Sequence, residues 1–222
     1  MCGRYALNAS SSQVIEQFQL EFEDTIRDSN LKIEKEIYPS KVEEVVIRKN
    51  NKNALEAKTW GVKNLPSKGE PIDQINVATI ERLETSPLWK KAIHQKRILI
   101  PVTSYFEWKE VDPFTTEKYE IFPSHNEVFA FAGLDIVYVD SFGKKNDCFV
   151  IITTEANQKI SEIHHRQPAL IEKNEYLRWL NDGTKNPIAL IQKFSNERFN
   201  YKKLWTKTKK NKKQIDDQLY LF

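Results

Sequence analysis

The segment ILIPVTSYFEWK, residues 98–109, opens a series of short apolar stretches separated only by turn-forming residues. The strands predicted from this series span residues 98–101, 105–109, 119–122, 128–134, 136–139 and 148–154. Strands that follow one another without regular helices between them favour an α+β fold with a mostly antiparallel sheet. We therefore expect one domain over residues 1–222, with a partly barrel-like sheet and flanking helices.

The segments around this series add helices and a second strand pair. Residues 10–20 form a predicted helix, in which Ser10 and Gln13 have capping-box spacing. Residues 42–48 and 55–60 are predicted strands around a turn at 49–53. Further helices are predicted at 88–94, after Pro87, and at 174–180 and 187–194. Residues 202–213 contain seven lysines, which we interpret as a solvated face, with a phosphate-contacting arm as the alternative.

Composition limits the classes of protein that fit. Hydrophobic residues at 40% and aromatic residues at 11% are globular values, and the net charge is only +3. This excess permits a nucleic-acid partner only if the basic residues share one face. No apolar run reaches membrane-spanning length, and no signal peptide is recognisable, so we expect a cytoplasmic protein without a membrane partner. Cys2 and Cys148 lack metal-ligand spacing, and we expect no metal, cofactor or disulfide.

Two residues carry reactive groups in unusual settings. Cys2 is one of two cysteines and is followed by Gly3, which leaves the backbone open to close approach. Glu107 lies between Phe106 and Trp108 in a predicted strand. Burial there would raise the pKa of Glu107 and suit it to general acid/base catalysis. The alternative is that strand alternation turns this carboxylate toward solvent.

Two further positions are chemically distinctive. His164 and His165 lie in IHHRQP, residues 163–168, but no second ligand cluster accompanies them, which disfavours a metal site. Asn76 lies in QINVA, residues 74–78, where capping of a loop is the simpler role.

Taken in order along the chain, these motifs resemble one known family. The sequence has CGRY at 2–5, QINVA at 74–78, FEW at 106–108 and HHRQP at 164–168. This order and spacing resemble the SRAP family, the SOS response-associated peptidase domain of abasic-site sensors. The likeness covers nearly the whole chain and includes FAGL at 131–134 and IITTEAN at 151–157.

The resemblance implies a protein that crosslinks covalently to abasic sites in single-stranded DNA. It assigns the nucleophile to Cys2, exposed by removal of Met1, and the assisting roles to Asn76, Glu107 and His164. It also implies phosphate contacts from Arg4, Thr153 and Arg166, with Trp60 near the DNA groove. The expected protein is a monomer of the DNA damage response, with an associated lyase activity and self-catalysed removal of Met1.

The chemistry of an N-terminal cysteine agrees with this role. An α-amino group, with a reference pKa of about 7.7–8.0, is neutral at pH 7 far more often than a lysine, whose pKa is about 10.4. A neutral amine forms an imine with the aldehyde of an opened abasic sugar, and the neighbouring thiol then closes a five-membered thiazolidine ring. Such an intramolecular step has a large effective molarity.

The sequence departs from the family pattern at several positions. Val77, Ala78 and Thr79 follow Asn76 where the family has an arginine two residues on, and Arg82 comes later. The other departures replace a glycine, an aspartate and a methionine by Ser104, His165 and Gln167. A second tryptophan after Trp60 is missing.

Two other functions compete with this interpretation. A thiol peptidase would use Cys2 as nucleophile and His164 as base, but the N-terminal amine would add nothing to acyl transfer. A non-covalent single-stranded nucleic-acid binder would use Trp60, Phe106 and Trp108 as stacking platforms. That function leaves Cys2 and Glu107 unused.

Overall fold

The computed structural model describes residues 3–20, 34–125, 127–192 and 196–209. The first half of the chain contains β1 (Arg4–Leu7), α1 (Ser11–Phe18), β2 (Glu34–Ile37), β3 (Val42–Lys49), β4 (Lys52–Trp60), β5 (Val62–Leu65), β6 (Ile72–Ile75), β7 (Val77–Thr79), a 3-10 turn (Ile80–Arg82), α2 (Pro87–Gln95) and β8 (Arg97–Val102). The second half contains β9 (Ser104–Asp112), β10 (Thr115–Pro123), β11 (Phe129–Val139), β12 (Lys145–Glu155), α3 (Gln158–Ser161), β13 (Arg166–Pro168), β14 (Leu170–Ile171), a 3-10 turn (Lys173–Glu175), α4 (Tyr176–Leu180), a 3-10 turn (Pro187–Leu190) and β15 (Phe199–Thr208).

The strands form a barrel and an adjoining antiparallel sheet. In the larger sheet β12, β4, β3, β8 and β11 are neighbours in that order, and pairing of β11 with β12 closes the ring. The β12–β4 pair is parallel and the other pairs around the ring are antiparallel. The second sheet has the order β15-β10-β9-β1-β2. The predicted α+β fold, mostly antiparallel and partly barrel-like, is confirmed.

The barrel strands are apolar because both of their faces are covered. All six residues of β8 are buried, as are the first six residues of β11, a pattern typical of strands enclosed on two sides. The ring of Tyr5, from β1, lies 5.1 Å from that of Trp60 and 6.2 Å from that of Phe131. This aromatic contact joins the second sheet to the barrel.

Two of the predicted elements differ from the structure in continuity or in kind. The strands predicted at 128–134 and 136–139 are one strand, β11, because Asp135 pairs with Phe149 in the ladder and its carboxylate meets the buried Lys58 at 3.2 Å. The predicted helix at 187–194 is only a 3-10 turn, after which Gln192 forms a bridge with Leu170. Residues 193–194 lie outside the described part of the chain.

Other local predictions hold more closely. Ser10 and Gln13 form the expected capping box at the start of α1. The predicted helix at 174–180 is a 3-10 turn that leads into α4.

The lysine-rich segment forms a strand that the sequence did not predict. β15 pairs with β10 from Phe199 to Thr208, and its side chains from residue 202 onward are exposed. Lys202 and Lys203 form ion pairs with Glu120 and Glu117 at 2.9 and 2.7 Å. This part of the segment is therefore a solvated face carried on an edge strand, while residues 210–213 are not among those described.

Within the described ranges, no helix is both long and apolar enough to cross a bilayer. The same ranges contain no cluster of three or more histidine, cysteine or acidic side chains arranged to hold a metal ion.

Candidate active site

Glu107 is a buried carboxylate in the middle of the second sheet. Strand β9 carries it, and its backbone partner on β10 is Tyr119. Only 2% of Glu107 is exposed, and burial raises the pKa of its carboxyl group from 4.5 to about 7. A carboxyl group with this pKa exists in both protonation states near neutral pH, as acid/base catalysis requires. The alternative orientation toward solvent was wrong.

The described chain begins beside this carboxylate. Arg4, the first residue of β1, pairs with Phe106, and Tyr5 pairs with Tyr105. The antiparallel register therefore places the start of β1 beside Phe106 and Glu107. Cys2 itself lies outside the described residues.

Asn76 lies between β6 and β7 and is held at both its backbone and its side chain. Its carbonyl oxygen accepts hydrogen bonds from Trp60 Nε1 at 3.0 Å and from the Ile151 amide at 3.2 Å. Its Oδ1 accepts a 2.8 Å bond from Gln74 Nε2. Asn76 is thus positioned by three elements, a more specific arrangement than the capping of a loop.

Trp60 lies in the protein interior. The residue is 0% exposed, and its ring packs against Tyr5 and Phe149. A fully buried ring has no surface to offer to a base, so the stacking role was wrong, whereas the expected place near the DNA groove stays a prediction. Its indole N–H instead fixes the carbonyl of Asn76.

His164 follows α3 and is oriented by the backbone of β13. The Arg166 amide donates a 3.0 Å hydrogen bond to His164 Nδ1. Nδ1 also lies 3.1 Å from the carbonyl oxygen of Arg166, which can only accept, so the two contacts suit opposite tautomers of the neutral ring. Burial lowers the pKa of His164, which favours the neutral form at pH 7. The ring stacks on His165 with centroids 4.4 Å apart.

Thr153 and Arg166 lie on neighbouring strands, β12 and β13. Arg166 Nη2 donates to the carbonyl oxygen of Thr153 at 2.9 Å, and both terminal nitrogens of Arg166 bind the carboxylate of Glu81. Thr153 is 0% exposed. The structure thus brings these two predicted phosphate ligands together, but the Arg166 guanidinium is already bound to the Glu81 carboxylate.

Arg4 is carried by the second sheet, whereas the other two predicted phosphate ligands are on strands of the larger sheet. It forms a 3.8 Å ion pair with Glu36, and its guanidinium lies over the ring of Tyr38 at 4.9 Å.

Two sets of contacts relate these positions to one another. Parallel pairing of β7 with β12 and antiparallel pairing of β12 with β13 place Thr153 and Arg166 on adjacent strands. Asn76 directly precedes β7, and His164 lies two residues before β13. Two contacts connect β1, which begins beside Glu107, to Asn76. The ring of Tyr5 packs on that of Trp60, and Trp60 donates a hydrogen bond to the carbonyl oxygen of Asn76.

The sequence interpretation did not single out Glu81, Gln74 or Gly61 as site residues. Of these three, only Gly61 could have been noticed in the sequence, as a glycine directly after Trp60.

The departures from the motif pattern have structural explanations. Ala78, at the position of the expected arginine, is buried in β7, whereas Arg82 is exposed on the turn that follows. Ser104 Oγ donates to Glu120 at 2.8 Å, and the buried Gln167 accepts from the Asn157 amide at 2.9 Å. The substituted side chains are therefore accommodated within the fold.

Comparisons with known proteins agree with one another. The family model described as SOS response associated peptidase (SRAP) matches residues 1–211. The abasic site processing protein YoqW of Bacillus subtilis (strain 168) is 31% identical over 192 residues, covering 86% of this chain and 84% of the relative. The abasic site processing protein YobE of the same organism is 29% identical over 192 residues, covering 86% of each chain.

Two crystal structures share the fold. A protein from Bacteroides thetaiotaomicron has a TM-score of 0.75 at 22% identity, with 92% of both chains covered. A phage-related protein from Bordetella bronchiseptica has a TM-score of 0.72 at 21% identity, covering 91% of this chain and 94% of the other.

Proposed function

Because this chain belongs to the SRAP family of SOS response associated peptidases, as its motif order predicted, we propose that it traps abasic sites in single-stranded DNA through Cys2. The protein acts in its Met1-free form, whose N-terminus offers both an amine and a thiol. The relatives named as abasic site processing proteins support this substrate. The observation that carries the proposal is Glu107, a buried carboxyl group with a pKa of about 7 beside the start of β1.

The covalent steps balance without an oxidant or reductant. An abasic deoxyribose opens to its aldehyde when a proton leaves the C1′ hydroxyl group and another reaches the ring oxygen. The Cys2 amine adds to the aldehyde carbon, and loss of one water gives an imine. The Cys2 sulfur then bonds to the imine carbon while the nitrogen regains a proton, which closes the thiazolidine.

Each of the assisting residues has a proton-transfer or positioning role. Glu107, present in both protonation states near neutral pH, takes and returns the protons of ring opening and imine formation. His164 assists these proton transfers and helps to position the sugar. Asn76 offers a side-chain amide to the crosslink, and Arg166 holds the strand by a phosphate. Thr153 is fully buried and can reach that phosphate only when the side chains that cover it move.

Cys148 does not compete with Cys2 for this chemistry. It is the other cysteine of the sequence, and burial raises the pKa of its thiol to about 12. A thiol with this pKa has almost no thiolate at neutral pH. Thiol chemistry of either kind, crosslinking or peptidase, is therefore assigned to Cys2.

The test is adduct formation on a denaturing gel with an oligonucleotide that carries one abasic site. Wild type should give a denaturation-resistant adduct with the damaged single strand and none with an undamaged one. Cys2→Ala should give none, and Cys2→Ser should give only an imine that a reducing agent traps. An equally stable adduct from Cys2→Ala would refute the proposal.

A further inference from the structure

The guanidinium of Arg166 is embedded in the protein, but the group that binds it comes from the surface. The Arg166 side chain is 12% exposed, whereas that of Glu81 is 53% exposed. Glu81 lies on the 3-10 turn Ile80–Arg82, directly after β7. The Arg166 side chain is therefore largely buried in the fold, and the Glu81 carboxylate covers it from the solvent side.

The geometry of this contact is one that a phosphate can reproduce. Arg166 Nη1 and Nη2 donate to the two carboxylate oxygens of Glu81 at 2.8 and 3.0 Å. This two-pronged contact is the same one that arginine makes with phosphate oxygens. The hydrogen bond from Arg166 lowers the pKa of Glu81, so the carboxylate is ionised at neutral pH. A negatively charged group thus stands where a strand phosphate would bind.

The surroundings contain hydrogen-bonding groups that Glu81 does not satisfy. Thr153 Oγ1 and Arg166 Nε are buried and have no hydrogen-bond partner among the described residues. Buried polar atoms are normally paired, and exceptions call for an explanation. A ligand that brings more acceptor oxygens than a carboxylate, as a phosphate does, would explain both atoms.

We infer that Glu81 is a specificity-determining residue, which occupies the phosphate position on Arg166 until a DNA strand displaces it. The inference rests on the proposed function, because it assumes that Arg166 binds a strand phosphate. The contact is bidentate, but Glu81 is 53% exposed, so solvent and salt screen it, and a strand held at several other contacts can displace the carboxylate. An isolated anion, with only this contact to gain, competes poorly. Glu81 thereby restricts the site to extended single strands.

Removing the competing charge should strengthen strand binding. Glu81→Gln should bind an undamaged oligothymidine about 2- to 10-fold more tightly than wild type, as expected for loss of a weak competing ion pair. Glu84→Gln is the matched control, because Glu84 pairs with His94 at 3.1 Å and its loss changes the net charge equally. The gain should also disappear when Glu81→Gln is combined with Arg166→Gln.

The measurement is fluorescence anisotropy of a labelled oligothymidine titrated with each variant at constant salt. Tighter binding by Glu81→Gln than by Glu84→Gln, lost in the Arg166→Gln background, is the result we expect. If Glu81→Gln bound the oligonucleotide more weakly than wild type, Glu81 would be a residue that positions Arg166. If Glu81→Gln and Glu84→Gln bound it equally well, the change in net charge would account for the effect. Either result overturns the inference, as does failure of every variant to bind.

Because this assay uses undamaged DNA, it separates the inference from the crosslinking proposal. If wild type forms the adduct but the two glutamine variants bind alike, only the role of Glu81 fails. If Glu81→Gln binds more tightly but no adduct forms, only the chemistry assigned to Cys2 fails.

Discussion

Gly61 and Asn76 are so close that a Cβ atom on Gly61 would lie 2.5 Å from Asn76 Oδ1. Gly61 also has a φ of +103°, which side chains rarely allow. Gly61→Ala should lower the free energy of unfolding by about 1–3 kcal/mol and slow adduct formation, because the side chain of Asn76 must move. Thermal melts and single-turnover crosslinking measure the two effects.

Gly69→Ala is the control for this substitution, because a Cβ atom there would meet nothing within 4 Å. It should change neither the melting temperature nor the rate. A Gly61→Ala protein that is destabilised but crosslinks at the wild-type rate would show that the placement of Asn76 is not needed for the chemistry.

The buried Glu107 should make stability depend on pH. With its pKa raised from 4.5 to about 7, the native state holds a proton that the unfolded chain releases, so its contribution to stability falls as pH rises through this window. Glu107→Gln removes the effect. Its stability relative to wild type should therefore increase by up to about 3 kcal/mol between about pH 4 and about pH 8. Urea unfolding at the two pH values tests this, and a pH-independent difference would contradict it.

Lys58 should be essential for the stability of the barrel. Its ammonium group is buried and contacts Asp147 at 2.6 Å, Asp135 at 3.2 Å and Glu56 at 3.3 Å. Lys58→Met leaves the largely buried Asp135 without its cation and should cost about 3–5 kcal/mol. Adding Asp135→Asn should recover part of this loss. If the double variant were no more stable than Lys58→Met in denaturant unfolding, the ion pair would not be the cause.

Salt dependence should distinguish Arg166 from the lysines of β15. Arg166→Gln should reduce the salt slope of log affinity for single-stranded DNA by about 0.7, the value for one lost phosphate contact. Lys202 and Lys203 are paired with Glu120 and Glu117, so replacing both by glutamine should leave the slope unchanged. A loss of about 1.4 in the lysine variant, from two contacts, would instead show that β15 binds the strand.

Elements of the fold could be predicted where residues close together in the sequence determine them, and not where contacts between distant segments do. The apolar stretches of β8, β9 and β12 were visible because each strand contains a continuous buried run, which is all of β8, the first four residues of β9 and residues 148–154 of β12. The capping box at Ser10 is set by residues three apart. The continuity of β11 was not visible, since Asp135 belongs in the strand only because Lys58 comes from β4. The strand at 199–208 was missed because its lysines are partnered by carboxylates of β10, which lies far away in sequence.

The candidate site divides in the same way. The aromatic neighbours of Glu107 agreed with burial, but the solvent-facing alternative stayed open until the structure placed the side chain inside. The burial of Trp60 and the pairing of Arg166 with Glu81 could not be inferred, because both depend on contacts between residues distant in sequence. The resemblance named the candidate residues, and only the structure showed which of them are exposed.

The most direct test of the account compares the Met1-free protein with one that carries a tag fused before Cys2. In the tagged form the nitrogen of Cys2 is an amide, whose lone pair is delocalised into the carbonyl group, so no imine or thiazolidine can form. Intact mass spectrometry of each protein after incubation with abasic single-stranded DNA measures the stable adduct. We predict an adduct, smaller by one water than the sum of its parts, for the Met1-free protein and none for the tagged protein. An equally stable adduct from the tagged protein would contradict the N-terminal aminothiol mechanism.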